Sequence, residues 1–172
     1  MDNTDINKLE IINNFHIPRW NEIPSIDLYI DQVVSFLESH LSDYINSDSI
    51  QGENVVTKSM INNYVKHNVI KPPVNKKYSR EHIAYLFVIF ILKQIYSIDE
   101  IKKLISLAIE TSSVDQSYNR FCIELEKAIN KTFSGDSYIN EIDHLSQEQY
   151  ILRNVAKSFA NKLYVQKVYL QN

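Results

Sequence analysis

Thr57-Lys58-Ser59-Met60-Ile61-Asn62-Asn63-Tyr64-Val65-Lys66-His67-Asn68 is the stretch on which the reading of this 172-residue chain turns. At about 100° per residue, Met60, Ile61, Tyr64 and Val65 share one arc of a helix. Lys58, Ser59, Asn62, Asn63 and Lys66 share the opposite arc. The outer face then carries two ammonium groups, two carboxamides and a hydroxyl, and no carboxylate. Lysines suit phosphates, and asparagine amides suit the edge of adenine in a major groove. Thr57 is a good N-cap, so the first turn offers free N–H groups to an anion. Asn68 stands where the helix should end, and asparagine tolerates the left-handed backbone needed there. On the wheel alone, an ordinary solvated face is the simpler account. The surrounding sequence gives the segment more weight.

The formal charge of the chain is −3, but it is segregated. Residues 1–54 carry two basic and ten acidic side chains, a net of −8. Residues 55–103 carry nine and three, a net of +6, and residues 104–172 are near neutral at −1. Between Val55 and Arg80 there are six basic residues and no acid. A local excess of this kind is the footprint of a phosphate-binding surface. Pairing with the acidic lead segment is the competing account.

Composition narrows the fold. With 44% hydrophobic and 23% charged residues the chain is globular, and its length suits one domain with an appendage. Gly52 and Gly135 are the two glycines. No glycine-rich phosphate loop can be written from them, and hairpin-rich β folds lose their usual turn residue. The expectation is a mainly all-α protein.

Outward from the central segment, Asp27 to Leu41 is expected to be helical, with Tyr29, Ile30, Val33, Val34, Leu37 and Leu41 on one face. The chain before Phe15 is weakly patterned. His16 to Pro24 contains two prolines and reads as an extended strap whose Trp20 and Ile23 pack on the domain. Residues 42–54 read as a loop. Lys71-Pro72-Pro73 opens an extended excursion to Tyr78. Ser79 caps a helix to about Tyr96, apolar almost all round and therefore the buried spine. Ser97-Ile98-Asp99-Glu100 is a capping box opening a helix to about Ile109. Val114, Tyr118, Phe121, Cys122, Leu125 and Ile129 mark the next helical face. Lys131 to Leu145 reads as a break, and Ser146 opens a last helix that reaches about Tyr169.

Ile61-Asn62-Asn63-Tyr64-Val65-Lys66-His67-Asn68-Val69-Ile70-Lys71-Pro72 resembles the segment of MerR-type regulators written L-R-Y-Y-x-x-x-G-L-[IL]-x-P. Tyr78-Ser79 and Ser97-Ile98-Asp99-Glu100-Ile101 resemble later stations of the same pattern, in the same order. The resemblance covers residues 57–105 and implies a winged helix-turn-helix. Helix 27–41 is then the first half, helix 58–67 the recognition helix, and 71–78 the wing. Asn62 stands where that family has a phosphate-contacting arginine, and Asn63 where it has its first tyrosine; Tyr64 keeps the second. Phe15-His16-Ile17-Pro18-Arg19-Trp20, Asp27 to Val33, Thr57 to Lys66 and Lys77 to His82 are similar to a bacterial family termed domain of unknown function 1836. That resemblance spans about residues 15–110 and brings no activity with it.

The organisation expected is a strap over 1–24, a MerR-like winged helix-turn-helix domain over 25–110, and a helical region over 111–172. The expected DNA-binding residues are Thr57, Lys58, Ser59, Asn62, Asn63, Tyr64 and Lys66 on the helix, with Lys71, Lys76, Lys77, Tyr78 and Arg80 around the wing. The partners expected are double-stranded DNA and a second copy through helices 114–130 and 146–169. A non-catalytic protein-interaction module of the same shape and a small-molecule sensor are the alternatives. The five histidines form no metal spacing, and no nucleophile elbow is present, so no catalytic residue, metal or cofactor is expected. Cys122 reads as a small buried apolar residue. The acidic start lacks a signal-peptide pattern, and Ile83–Leu92 is only half a membrane span, so a cytoplasmic chain is expected.

Overall fold

The computed structural model describes residues 3–46, 54–136 and 145–170. These residues are mainly helical. In order they form α1 (Asn3–Asn14), a 3₁₀ turn (Trp20–Glu22), β1 (Leu28–Tyr29), α2 (Ile30–Leu41), α3 (Lys58–Lys66), β2 (Lys77–Tyr78), α4 (Arg80–Leu92), α5 (Ile98–Glu110), α6 (Val114–Ser134) and α7 (Gln147–Val165). A π-helical turn, Gln166–Leu170, follows α7. The chain forms two compact units: Pro18–Asn119, and Met1–Ile17 together with Arg120–Asn172.

In the unit Pro18–Asn119, α4 is the spine. Eight of its thirteen residues, from Ile83 to Leu92, are buried. A helix apolar on nearly all sides is stable only inside a core. Phe87 meets the Phe36 ring of α2 edge-on at 5.9 Å, and Phe90 meets the Tyr64 ring of α3 at 5.5 Å. Val33, Leu37 and Leu41 complete the inner face of α2. The Trp20 N–H donates to Asn119 Oδ1 at 2.9 Å, and the Tyr118 hydroxyl donates to Pro18 O at 2.8 Å, tying down the part of the strap that carries buried Ile23.

The helix expected over 27–41 begins only at Ile30. Leu28 and Tyr29 instead pair antiparallel with Tyr78 and Lys77. The partner strand lies far along the chain, so local periodicity could not reveal it. A second bridge, Val74 to Lys77, closes a tight turn in which Asn75 and Lys76 have φ of 51° and 63°. Positive φ at both central residues is the primed hairpin turn that usually takes glycine, here made without one. The helix expected to reach Tyr96 stops at Leu92. Beyond it the Gln94 and Ile95 N–H groups turn to carbonyls three residues back.

Helix α3 is fixed at both ends. The Met60 N–H donates to Thr57 Oγ1 at 3.2 Å. At the other end Asn68 adopts φ 54°, the Val69 N–H donates to Tyr64 O at 2.8 Å and the Asn68 N–H to Val65 O at 3.0 Å. This is a Schellman cap with asparagine in the glycine position. Ahead of Thr57, the Glu38 carboxylate of α2 accepts the Val55 N–H on one oxygen at 3.1 Å and the Val56 N–H on the other at 2.8 Å. Val56 is fully buried. Residues 47–53 of the expected 42–54 loop lie outside the described residues.

In the other unit, the weakly patterned start is helix α1, with Ile11 buried on it and Phe15 buried just past its end. Phe15 packs against Phe159 of α7 at 6.5 Å. Buried Arg153 of α7 is held by Glu124 of α6, Nε to Oε2 3.5 Å. Helix α6 runs past the expected break to Ser134, because Gly135 (φ 79°) and an Asp136 N–H to Lys131 O bond cap it there. Residues 137–144 of that break lie outside the described residues. Ser97 forms the capping box expected of it, with Glu100, and Ser146, expected to open the last helix, does so with a capping box to Gln149. The Ser97 backbone N–H and then its hydroxyl hold the Glu100 carboxyl below its usual range. Cys122 is buried. No helix among the described residues is long and apolar enough to cross a membrane.

Replacing Glu38 by alanine strands two backbone donors and removes a charge-assisted acceptor. The expected loss is roughly 2–3 kcal/mol of unfolding free energy. Urea denaturation checks it, and a change near zero contradicts the clamp.

Candidate nucleic-acid interface

On α3, Ile61 and Tyr64 are buried, while Lys58, Ser59, Asn62, Asn63 and Lys66 are exposed. The two arcs read from the sequence are therefore the inner and outer faces of the helix. Lys58, Asn62 and Lys66 stand four residues apart and form one row along it. Cover of this row by another part of the chain would favour the interaction-module alternative; among the described residues Asn62 and Lys66 are exposed, and Lys58, also exposed, pairs with Asp31.

Not every expected contact residue belongs to that surface. Tyr64 is turned inward against Phe90, with the Lys93 ammonium 5.8 Å from its ring centre. Tyr78 is also buried, beside the His82 ring, and burial raises its hydroxyl pKa. The two tyrosines hold α3 and β2 to the core. Thr57 caps its helix, with its hydroxyl engaged by Met60.

The cations differ in freedom. Lys58 pairs with Asp31 at the start of α2, and both side chains are exposed. The Lys77 ammonium lies 5.0 Å from the centre of the exposed Tyr29 ring. The Arg80 guanidinium lies 5.7 Å from the Trp20 ring, and its buried Nε has no hydrogen-bond partner among the described residues. Both are cation–π contacts that restrain a positive group without neutralising it. Lys66, Lys71 and Lys76 are exposed and have no carboxylate partner among the described residues. Asp31, Tyr29 and Trp20 thus shape the charged surface from the strap and α2. Sequence reading missed the roles of Asp31 and Tyr29, because each contact joins distant parts of the chain.

A cleft of about 380 Å³ opens where the end of α3 faces the start of α5, lined by Asn63, Tyr64, His67, Val69, Ile98, Asp99 and Lys102. The Lys102 ammonium donates to His67 O at 3.2 Å across it, opposing the negative end of the α3 dipole. Among the described residues no cluster of histidine, cysteine or carboxylate side chains is placed to hold a metal.

Residues 18–121 match the family described as Domain of unknown function (DUF1836). The chain belongs to the DUF1836 family. No curated protein and no solved structure matches it. The matched span coincides closely with the compact unit Pro18–Asn119, so α2, α3, the hairpin turn and the spine are all parts of the DUF1836 domain. The basic surface therefore belongs to the domain itself.

Lys76 of the DUF1836 domain holds a left-handed backbone that costs a non-glycine residue about 1 kcal/mol. Lys76→Gly should therefore leave thermal stability unchanged or higher. A melting temperature lowered by several degrees would show that the lysine side chain itself supports the turn.

Proposed function

We propose that the chain is a DNA-binding transcriptional regulator built on a MerR-like winged helix-turn-helix. In this reading α2 and α3 are the two helices of the motif, and α3 enters the major groove. The Val74–Lys77 turn with β2 is the wing, and α4 and α5 support it. One observation carries the reading: the solvent face of α3 bears Lys58, Ser59, Asn62, Asn63 and Lys66 without a carboxylate, on a helix fixed at both ends. A helix that reads DNA must be rigid relative to its backbone contacts, because those contacts set its register. The Thr57 cap, the Asn68 cap and the Glu38 clamp supply that rigidity.

Phosphate contacts fall to Lys66, Lys71 and Lys76, which have no carboxylate partner among the described residues, and to Lys77 and Arg80, which are held by aromatic rings. Lys58 joins them once it leaves Asp31. A single module of this size holds DNA weakly, and half-sites are commonly read by two copies. A second copy docking through α6 and α7 completes the reading. Exposed Ile123, Tyr150 and Val165 on those helices supply apolar surface for it.

About four to six phosphate contacts give a slope of log affinity against log salt near −4 to −5. The test is anisotropy of a labelled duplex titrated with the full chain across a range of potassium chloride. Lys58→Glu/Lys66→Glu should lose most of the affinity. Absence of binding at low salt, or an unchanged double variant, ends the proposal. Asp31→Asn has the opposite sign: by releasing Lys58 it should tighten binding to arbitrary duplex severalfold and steepen the slope by about one. Weaker binding in that variant would mean that Asp31 serves only to place α3.

A further inference from the structure

We propose that Asn62 is the base-reading residue of α3 and that the base it reads is adenine; this rests on the major-groove reading above. Lys58, Asn62 and Lys66 form one exposed row with Asn62 at its centre. At 1.5 Å rise per residue the two lysines are about 12 Å apart along the axis, close to the width of a major groove. A helix laid across the groove then brings an ammonium group to each phosphate wall. The carboxamide between them is left facing the floor.

The neighbours of Asn62 sharpen the assignment. Helix α3 contains no arginine, so the fork that most often reads guanine is missing. Lys58 is engaged by Asp31 at the helix start. Asn63 lies off the row Lys58, Asn62, Lys66 and lines the cleft with His67, Asp99 and Lys102. Ser59 is short and reads bases without strong preference. Asn62 is thus the planar donor–acceptor group at the middle of the row. Its Oδ1 can accept from adenine N6–H while its Nδ2 donates to adenine N7, a pairing that no other base edge offers in the same geometry. Two copies of the chain would read one such adenine in each half-site.

The test is selection of duplexes from a pool with a randomised centre by the full-length chain, followed by affinity measurements on the selected duplex and on an unselected one. The expected result is an adenine at a fixed position of each half-site. Asn62→Ala should lower the ratio of selected to unselected affinity about tenfold, and Asn62→Gln should restore part of it. Asn62 is exposed, so its melting temperature should stay that of the parent chain. Placing 7-deazaadenine at the preferred position removes N7 alone; it should weaken the parent chain severalfold and leave Asn62→Ala indifferent. Guanine or no base at a fixed position, or a ratio unchanged by Asn62→Ala, overturns the inference while the salt-dependent binding of the parent chain stands. Failure of the parent chain to bind any duplex at low salt overturns the major-groove reading and this inference together.

Discussion

The Glu38 carboxylate accepts the N–H groups of Val55 and Val56, one on each oxygen. Without it, the last turn before Thr57 would have to leave two donors unsatisfied beside a fully buried valine. With it, the start of α3 is fixed to the last turn of α2, a helix whose Val33, Leu37 and Leu41 are locked in the core. The inward packing of Tyr64 on Phe90 then sets the rotation of α3 about its own axis. Everything on its outer face follows from those two constraints. The row Lys58, Asn62, Lys66 faces solvent because Ile61 and Tyr64 cannot.

Local chemistry made much of this legible in the sequence. Thr57, Asn68, Ser97 and Ser146 act on backbone groups within four residues of themselves, so their caps can be read from the residue type and its place in the helical period. The arcs of α3 and the apolar girth of α4 are likewise properties of short windows. The pieces that escaped are long-range. Leu28 and Tyr29 look helical until Tyr78 and Lys77 are brought beside them. Asp31 is one of ten acids before residue 55, and only the fold singles it out as the partner of Lys58. The start of the chain lacks a clear stripe, and α1 meets the Gln166–Leu170 turn while Phe15, just past it, meets Phe159, both far along the chain.

The charged surface has a graded character that residue counts conceal. Six basic groups lie between Val55 and Arg80. One is paired with a carboxylate, two rest on aromatic rings, and three are exposed without a carboxylate partner among the described residues. Aromatic seating keeps a cation available while removing much of its conformational freedom, so less entropy is lost when it meets an anion. An exposed ion pair is weak and screened by salt, so Lys58 is restrained but exchangeable. The sparse glycines bear on the same surface. A primed turn built from Asn75 and Lys76 places a positive charge at the hairpin tip, where glycine would be silent.

The two compact units differ in how the chain must be assembled. Pro18–Asn119 is continuous, so its core can close as soon as that span has been synthesised. The other unit joins the first seventeen residues to the last third of the chain. The His16 ring and the Ile17 N–H find their shared acceptor, Glu126 Oε1, only 110 and 109 positions later. During translation α1 therefore waits, unpartnered, while the domain behind it folds. Phe15, just past α1, meets Phe159 of α7, and α1 itself meets the Gln166–Leu170 turn, only after those distant residues have been made. Closing so long a loop is slow when nothing intervenes.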